Sequence, residues 1–402
     1  MTTPDDEVHA GLAQVLIGWM PMFDRQRGVT ALRLTVTPLH GEALPDVATL
    51  REALCAAWPA EAGRLILNIA HEAMLAQALT QPWPLHMMVE VPTFMAADAQ
   101  ILPALTALHA AGNAILVHGR PSSPLPPPVL ACLAYSLVEA GDDRRSGAPL
   151  PGAQTRPVPH LQVGVRSAAE MTEAFARGAL GVLGWPFGEA PTTGSTKPVR
   201  APELNSIVEL MQRVDRHEDV GRLEAVLNND PTLAFRLLRY INSPAFGLRV
   251  EISSFRHAIM MLGHDRLKRW LALLLVSGQR DPSMKPFTYA AVRRGLLMDA
   301  LARANADDSQ SGELFICGVF SLLDRMLQQP FDLLLKSIPV AESIRAALVD
   351  DAGPHLPYLT VARAIESGAP MDIREAAEAL LLAPEEVNRA LLHALVAARQ
   401  LD

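Results

Sequence analysis

The chain has little of what disulfide-stabilised, nucleic-acid-binding or membrane-spanning proteins need. Its three cysteines, Cys55, Cys132 and Cys317, have no paired spacing, which argues against a disulfide framework and a zinc site and suits a reducing compartment. The formal net charge of -8 argues against a nucleic-acid partner, for which a basic face is expected. The most continuous apolar run, Trp270 to Val276, is far shorter than the roughly 20 residues that span a bilayer. The acidic N-terminus lacks a signal core, so we predict a cytoplasmic protein without membrane insertion.

Several short catalytic signatures are also missing. The sequence contains no Gly-rich phosphate loop, no nucleophile elbow and no HExxH motif. Half of the 402 residues are apolar and 19% are charged, which is typical of a globular protein. The length exceeds what one ordinary core holds, so we expect two domains.

The first half of the chain alternates short apolar runs with helical patterns. Five runs are predicted to be strands: Val15–Phe23, Ala31–Val36, Arg64–Ile69, His86–Val91 and Ala114–His118. Amphipathic patterns over Val47–Ala57 and Ala99–Ala111 predict helices between them. This alternation favours parallel strands with crossover helices, in an α/β barrel or an open sheet.

A stretch rich in Pro, Gly and Thr separates this half from the rest of the chain. It runs from Gly188 to Pro202 and predicts a linker at 191–201, between a first domain at 1–190 and a second at 202–402. Beyond it the patterns are helical throughout, and Asp230-Pro231 has the residue types of a helix start. The second domain is therefore predicted to be all-α.

The dipeptide His264-Asp265 names a large class of metal-dependent phosphohydrolases. Here Gly263 is predicted to end one helix and Asp265 to cap the next, which leaves His264 exposed in the turn. The turn also separates His264 from His257, so helical spacing does not place the two rings on one face. We interpret the pair as structural, over the alternative of a metal site.

The segments DPTLAFRLLRYINSPAFG and EISSFRHAIMMLG, in this order, resemble the HDOD domain, a metal-free relative of those phosphohydrolases. The resemblance covers roughly Pro198 to Asp402. It implies that the active enzymes' own His-Asp doublet falls on Ser321 and Leu322, which cannot replace two strong metal ligands. Asp324 is expected to be solvated or to cap a helix.

Glu90 and Asn68 end apolar strands, where α/β barrels place their sites. Taken alone, they are expected to satisfy loop backbone groups. The segments MPMFDRQRGVTALRLTV, LILNIAHEAML, MVEVP and LGVLGWPF resemble, in order, the EAL domain, which hydrolyses cyclic di-GMP with divalent cations. The resemblance implies that the family's carboxylate ligands are replaced at most positions: Arg33, His118-Gly119, Val163 and Arg166. Only Asn68 and Glu90 match the family.

Loss of these carboxylates would remove the negative charge that a two-metal site needs. We therefore predict a degenerate EAL-type (β/α) barrel that has lost a helix after AYSLVEAGDD, followed by an all-α HDOD domain. The predicted function is a non-catalytic scaffold in bacterial signal transduction that binds protein partners, with no catalytic residue, metal or cofactor.

An alternative is a receptor that binds cyclic di-GMP without hydrolysing it. Its vestigial pocket would contain Arg33, Asn68, Glu90, His118 and Arg166. A third possibility, an enzyme with an unrecognised site, has no supporting constellation of residues. Two basic groups further along the chain, Arg266 with Lys268 and Arg269, and Arg293-Arg294, are expected to be solvated helix faces, although such groups can also bind phosphate.

Overall fold

The computed structural model describes residues 11–41, 43–121, 123–139, 158–191, 202–228, 233, 255–277, 281–305 and 310–399. Its contacts divide the described residues between two compact units. Unit 1 covers 1–188 together with 364–378 and 383–389, and unit 2 covers 189–363, 379–382 and 390–402. The domain bounds predicted above stay a prediction. Residues 192–201 of the linker, the pair Asp230-Pro231 and the segment after Glu139 lie outside the described residues.

Unit 1 contains a closed barrel of eight strands in chain order. The strands are Val15–Phe23 (β1), Val29–Pro38 (β2), Arg64–Ile69 (β3), Met87–Pro92 (β4), Ile115–His118 (β5), Leu133–Glu139 (β6), His160–Val165 (β7) and Gly181–Gly184 (β8). The described residues of this unit also form six helices: Val47–Ala57 (α1), Glu72–Ala78 (α2), Thr93–Ala96 (α3), Leu102–Ala110 (α4), Pro127–Cys132 (α5) and Ala168–Ala176 (α6). The predicted α/β barrel is confirmed.

The sequence prediction located the first five strands to within a few residues and missed the last three. β6 is mostly half-buried and β8 has only four residues, so neither shows the apolar pattern on which strand prediction depends. The predicted parallel order holds from β2 to β8, whereas β1 pairs antiparallel with both neighbours. This arrangement brings the carboxyl ends of seven parallel strands to one mouth of the barrel.

Alternate side chains of each strand fill the barrel. The buried apolar ones form a single cluster: Ala31, Ile66, Met88, Leu116, Leu137, Leu161, Val163 and Leu183. Two residues further along four of these strands, the sequence places Arg33, Asn68, Glu90 and His118. Because side chains alternate with a period of two, these polar groups point to the same interior, nearer the carboxyl ends of the strands. The strand pattern therefore puts an apolar floor beneath a polar mouth.

Within unit 1, Asn388 of the helix Pro384–Arg399 binds the first barrel strand. β8 pairs only with Met22 and Phe23 at the end of β1, which leaves the earlier part of that strand edge without a strand partner. The buried Asn388 amide accepts a hydrogen bond from Ile17 N at 3.1 Å and donates to the carbonyl oxygens of Leu12 and Val15 at 2.9 and 2.8 Å. A side-chain amide thus takes the place of a neighbouring strand's peptide group.

Unit 2 is helical in its described residues. Its helices are Pro202–Asp215 (α7), Val220–Asn228 (α8), Phe255–Ser277 (α9), Lys285–Ala304 (α10), Ser311–Phe320 (α11), Leu323–Leu327 (α12), Phe331–Leu334 (α13) and Glu342–Val349 (α14). Three further helices contribute residues to both units: Leu356–Ser367 (α15), Pro370–Ala379 (α16) and Pro384–Arg399 (α17). Among the helices of the described residues, none combines the length and apolarity that a bilayer crossing requires.

Two glycines allow α10 and α11 to cross in close contact. A Cβ atom added to Gly318 would come within 2.7 Å of the Arg294 carbonyl oxygen, and one added to Gly295 would meet Val319 Cγ2 at 2.6 Å. These distances are shorter than side-chain packing tolerates, so only glycine permits this approach. The crossing places Arg294 beside α11.

The helix α9 changes direction at Gly263, whose φ of 72° and ψ of 175° are not helical. The predicted break at Gly263 is confirmed. His264 is half-buried and its ring stacks edge-on against His217 at 4.9 Å between centroids, so the prediction of an exposed ring was wrong. The Asp265 side chain is exposed and makes no cap hydrogen bond within the described residues, so the predicted cap is not found either.

Candidate functional site

The barrel mouth contains a buried ion pair between Arg33 on β2 and Glu90 on β4. The Arg33 Nε and Nη2 atoms donate to the two carboxylate oxygens of Glu90, each at 2.6 Å. The Arg33 side chain is 9% exposed and that of Glu90 1% exposed, so solvent screens the pair little. This two-point geometry is the strongest that Arg forms with a carboxylate. The pair occupies the position where the EAL resemblance places metal-binding acids.

His118 and Glu139 extend the pair into a chain of alternating charges. His118 Nδ1 lies 2.8 Å from Glu90 Oε1, and His118 Nε2 lies 3.3 Å from Glu139 Oε1. Gly164, with φ of +78°, leaves room for Glu139, because a Cβ atom there would come within 2.8 Å of Glu139 Oε2. We call Arg33, Glu90, His118 and Glu139 the mouth network. Sequence reasoning missed Glu139 because it missed the strand that carries it.

Each member of the mouth network shifts the pKa of its neighbours. Burial is the largest influence on Glu90 and would raise its pKa, but hydrogen bonds and charge from Arg33, with His118 adding to them, lower that pKa to about 2. Hydrogen bonds to Glu139 and then Glu90 raise the pKa of His118 to about 9, against burial and the Arg33 charge. The same contact with His118 lowers the pKa of Glu139. At neutral pH the network therefore holds two cations and two anions.

Asn68 lies beside the mouth network, whereas Arg166 makes no hydrogen bond or ion pair with it within the described residues. Asn68 Nδ2 donates to Thr35 Oγ1 at 3.3 Å, and Arg33 Nη1 lies 3.5 Å from the same hydroxyl. Asn68 and Glu90 thus bind side chains, and the expectation that they satisfy loop backbone groups was wrong. Arg166 is exposed after β7, where its backbone N–H donates to Glu170.

The EAL resemblance implies divalent cations at the barrel mouth, and the mouth network shows whether its residues could bind them. Such cations take six or more oxygen ligands from carboxylates, carbonyls and water. Glu90 already accepts from Arg33 and His118, and a cation that displaced Arg33 would still face its positive charge. Within the described residues there is no group of three or more His, Cys, Asp or Glu side chains placed to hold a metal. The residues at the mouth therefore do not fit a divalent centre.

In unit 2, a second guanidinium lies where the HDOD resemblance places a lost metal doublet. Arg294 Nη1 donates to Ser321 Oγ at 2.9 Å, and Ser321 Oγ donates to the Gly318 carbonyl at 2.7 Å. Asp324 is buried and its Oδ1 has no hydrogen-bond partner within the described residues. Burial raises the pKa of Asp324, against the Arg325 backbone N–H. Of the two roles predicted for Asp324, solvation was wrong, whereas a role at a helix start agrees with its place in the first turn of α12 and its contact with the Arg325 backbone N–H.

The two basic groups of the second half were predicted to be solvated helix faces, which holds for the exposed Arg266 but not for Arg269, Arg293 and Arg294. Arg293 and Arg294 are buried, and the Arg293 guanidinium lies 3.1 Å from the Tyr289 ring centroid. Arg269 contacts Asp299 at 3.1 Å and lies 4.3 Å over the Phe315 ring. Sequence patterns treat arginine as a surface residue, whereas an aromatic face or a buried acid can keep it inside a helical core.

Part of the helical half matches a known family. The HDOD domain family profile matches residues 201–326. The chain carries an HDOD domain. The HDOD prediction is thereby confirmed for residues 201–326, and its extension to Asp402 stays a prediction. Much of the two segments that carry the resemblance lies outside the described residues.

Two curated relatives cover part of the chain. The cyclic di-GMP phosphodiesterase CdgJ of Vibrio cholerae is 28% identical over 155 residues, which are 38% of this chain and 36% of CdgJ. The uncharacterized protein YuxH of Bacillus subtilis is 26% identical over 193 residues, which are 45% of this chain and 47% of YuxH. The chain spans less than half the length of these relatives.

Solved structures of EAL domains are among those to which this chain is similar. A standalone EAL protein of Vibrio cholerae with cyclic di-GMP bound has a TM-score of 0.30 and 14% identity, over 44% of this chain and 91% of that one. The FimX EAL domain of Pseudomonas aeruginosa bound to cyclic di-GMP has a TM-score of 0.29 and 12% identity, over 47% and 96%. What the structure confirms of the predicted EAL-type barrel is the closed barrel of eight strands.

The raised pKa of His118 predicts how stability depends on pH. A pKa raised from 6.5 to about 9 means that the charged ring stabilises the folded protein fully below pH 6.5. This stabilisation is lost as the pH rises through about 9. Denaturant midpoints measured from pH 6 to 10 should therefore fall more steeply for the wild type than for His118→Gln. His393→Gln, at an exposed position, is the control and should follow the wild type. Denaturant midpoints that fall equally with pH in the wild type and in His118→Gln would contradict a charged His118 ring.

Proposed function

We propose that the protein is a non-catalytic regulator of bacterial signal transduction that acts by binding a protein partner. One observation carries the proposal: the Arg33 guanidinium neutralises Glu90 at the barrel mouth by two hydrogen bonds of 2.6 Å. A metal-dependent phosphodiesterase must leave such a carboxylate free for its cation. Here an internal cation takes that position, and the Glu90 charge stabilises the fold.

The HDOD domain supports the same reading. Ser321 and Leu322 replace the doublet expected of an active phosphohydrolase, and Arg294 donates to Ser321. Arg294 is 6% exposed, so a metal at this point would meet a buried positive charge. Since neither half supplies a donor set for a metal within its described residues, we assign the chain a binding activity.

Cyclic di-GMP binding without hydrolysis is the second candidate. CdgJ is named as a phosphodiesterase for this ligand, and the chain's barrel carries His118 and Arg166 as cations near its carboxyl-terminal end. Against it, Arg33 is engaged with Glu90, and Glu139 adds a carboxylate to the mouth that a phosphate would avoid. We therefore expect titration calorimetry with cyclic di-GMP to show no saturable binding. Binding that Arg166→Ala weakens would favour the receptor instead.

The expected result of a hydrolysis assay follows from the paired state of Glu90. The purified protein, incubated with cyclic di-GMP and excess Mg²⁺ or Mn²⁺, should release no linear or mononucleotide product by chromatography. An active cyclic di-GMP phosphodiesterase in the same buffers is the positive control. Glu90→Gln is the matched variant, because it removes the charge and keeps the shape. Metal-dependent turnover in the wild type that Glu90→Gln abolishes would overturn the proposal.

A further inference from the structure

Unit 2 contains a cavity that the proposed function does not use. Its volume is about 590 Å³, and its lining comes from α7, α9, α11, α14 and the segment that leads into α14. Pockets for small organic ligands measure about 300–1,000 Å³. Met211, Ile316 and Ile344 give the cavity an apolar part, while three cations of α9 give it a polar part. The cavity thus has the size and the mixed lining of a ligand site.

The three cations are Arg266, Lys268 and Arg269, and they differ in what they already bind. Lys268 Nζ lies 2.6 Å from Asp215 Oδ1, and Arg269 pairs with Asp299. Arg266 is exposed and has no ion pair or hydrogen bond within the described residues. The pKa of Arg269 is lowered, chiefly by burial, and the nearby charge of Arg266 adds to the lowering. Two guanidinium groups that repel each other beside one cavity would both gain from a bound anion.

Two helix starts add positive potential to the same cavity. α11 begins at Ser311 and α14 at Glu342, and neither has a side-chain cap. Ser311 and Gly312 line the cavity at the first start, and Ala341 lines it at the second. The first backbone N–H groups of a helix have no partner inside the helix, and the helix dipole makes that end positive. Such ends bind phosphate and carboxylate groups.

Three carboxylates also line the cavity and limit where an anion can bind. Asp215 is paired with Lys268. Glu313 accepts a hydrogen bond from Ser343 Oγ at 2.6 Å and lies 3.1 Å from His355 Nε2, so its charge is partly engaged. Asp265 is exposed beside Arg266, and within the described residues it makes no ion pair with the Arg266 guanidinium. The favourable place for an anion is therefore between Arg266, Arg269 and the start of α11.

We propose that this cavity binds a small phosphorylated organic molecule of about nucleotide size. Arg266, Arg269 and the first N–H groups of α11 hold the phosphate. The organic part lies against Met211, Ile316 and Ile344. The inference is independent of the proposed function, because it uses no residue of the barrel mouth.

Gly312 offers a variant that separates ligand loss from unfolding. A Cβ atom at Gly312 meets nothing within 4 Å, so the position has room for a side chain. Gly312→Asp places a carboxylate at the start of α11, which favours the helix dipole and repels a bound anion. Gly312→Asn has nearly the same shape without the charge and is its matched control. Arg266→Ala removes the unpaired cation, and Arg222→Ala, at an exposed arginine of the same unit, controls for lost surface charge.

The test is titration calorimetry of the full chain with three probes: pyrophosphate, 5′-GMP and guanosine. We expect saturable binding of 5′-GMP, weaker binding of pyrophosphate and none of guanosine, which lacks phosphate. Affinity for 5′-GMP should fall at least about tenfold in Gly312→Asp and Arg266→Ala, and stay near wild type in Gly312→Asn and Arg222→Ala. Thermal melting of each variant verifies that it is folded. No saturable binding of either phosphorylated probe, or equal affinity in all four variants, would overturn the proposal.

Discussion

Replacing Arg33 with methionine is expected to lower the free energy of unfolding by about 3–5 kcal/mol, the usual cost of leaving one member of a buried ion pair without its partner. Methionine retains much of the side-chain length and removes the charge. Glu90, only 1% exposed, would then keep a buried carboxylate with His118 as its remaining cation. Denaturant unfolding of wild type and variant measures the difference.

Two further variants show whether the cost comes from the charge. The double variant Arg33→Met with Glu90→Gln removes both charges, and we expect it to recover most of the lost stability. Arg177→Met breaks an exposed pair with Glu173 in the same unit, and it should cost at most about 1 kcal/mol. An Arg33→Met variant no less stable than Arg177→Met would contradict the buried pairing.

Asn388→Leu should also be strongly destabilising, by about 3 kcal/mol or more. Leucine has nearly the shape of asparagine but makes no hydrogen bonds through its side chain. The buried Ile17 N–H and the carbonyl oxygens of Leu12 and Val15 would therefore lose the partner that Asn388 provides. Each buried polar group left without a partner costs about 1–3 kcal/mol. Thermal or denaturant unfolding, monitored by circular dichroism, gives the measurement.

Asn388→Asp and His393→Ala complete that comparison. Asp keeps an acceptor for Ile17 but turns the donor toward two carbonyls into an acceptor, so it should be at least as unstable as the leucine variant at neutral pH. His393 is exposed on the same helix, and its replacement should be nearly neutral. If Asn388→Leu and His393→Ala have the same unfolding midpoint, the Asn388 amide does not substitute for a strand partner.

The sequence predicted those parts of the barrel that depend on local apolar patterns. β1 and β3 were predicted with the observed bounds because each is a continuous apolar run. The grouping of Arg33, Glu90 and His118 in one pocket was predicted from the EAL resemblance, and only Glu90 also from its position at a strand end. That Arg33 binds Glu90 at two points depends on strand register and barrel closure, which local patterns do not contain.

The missed parts of the site share one physical cause. Glu139 reaches His118 only because β5 and β6 are neighbours in the barrel. Arg294 is buried because two glycines let α10 approach α11. Asn388 contacts Ile17 across 371 residues of sequence, and nothing near Asn388 marks it as a strand partner. Contacts over such separations depend on the packed fold, so the residue types around each position could not reveal them.

The central claim is that an internal cation, Arg33, takes the place of a metal at the barrel mouth. Titration of the full chain with Mn²⁺, followed by electron paramagnetic resonance of the free ion, tests it most directly. We expect wild type and Glu90→Gln to show the same weak, non-saturating binding, because the Glu90 carboxylate already binds Arg33 and His118. Stoichiometric binding at micromolar Mn²⁺ that disappears in Glu90→Gln would contradict the claim.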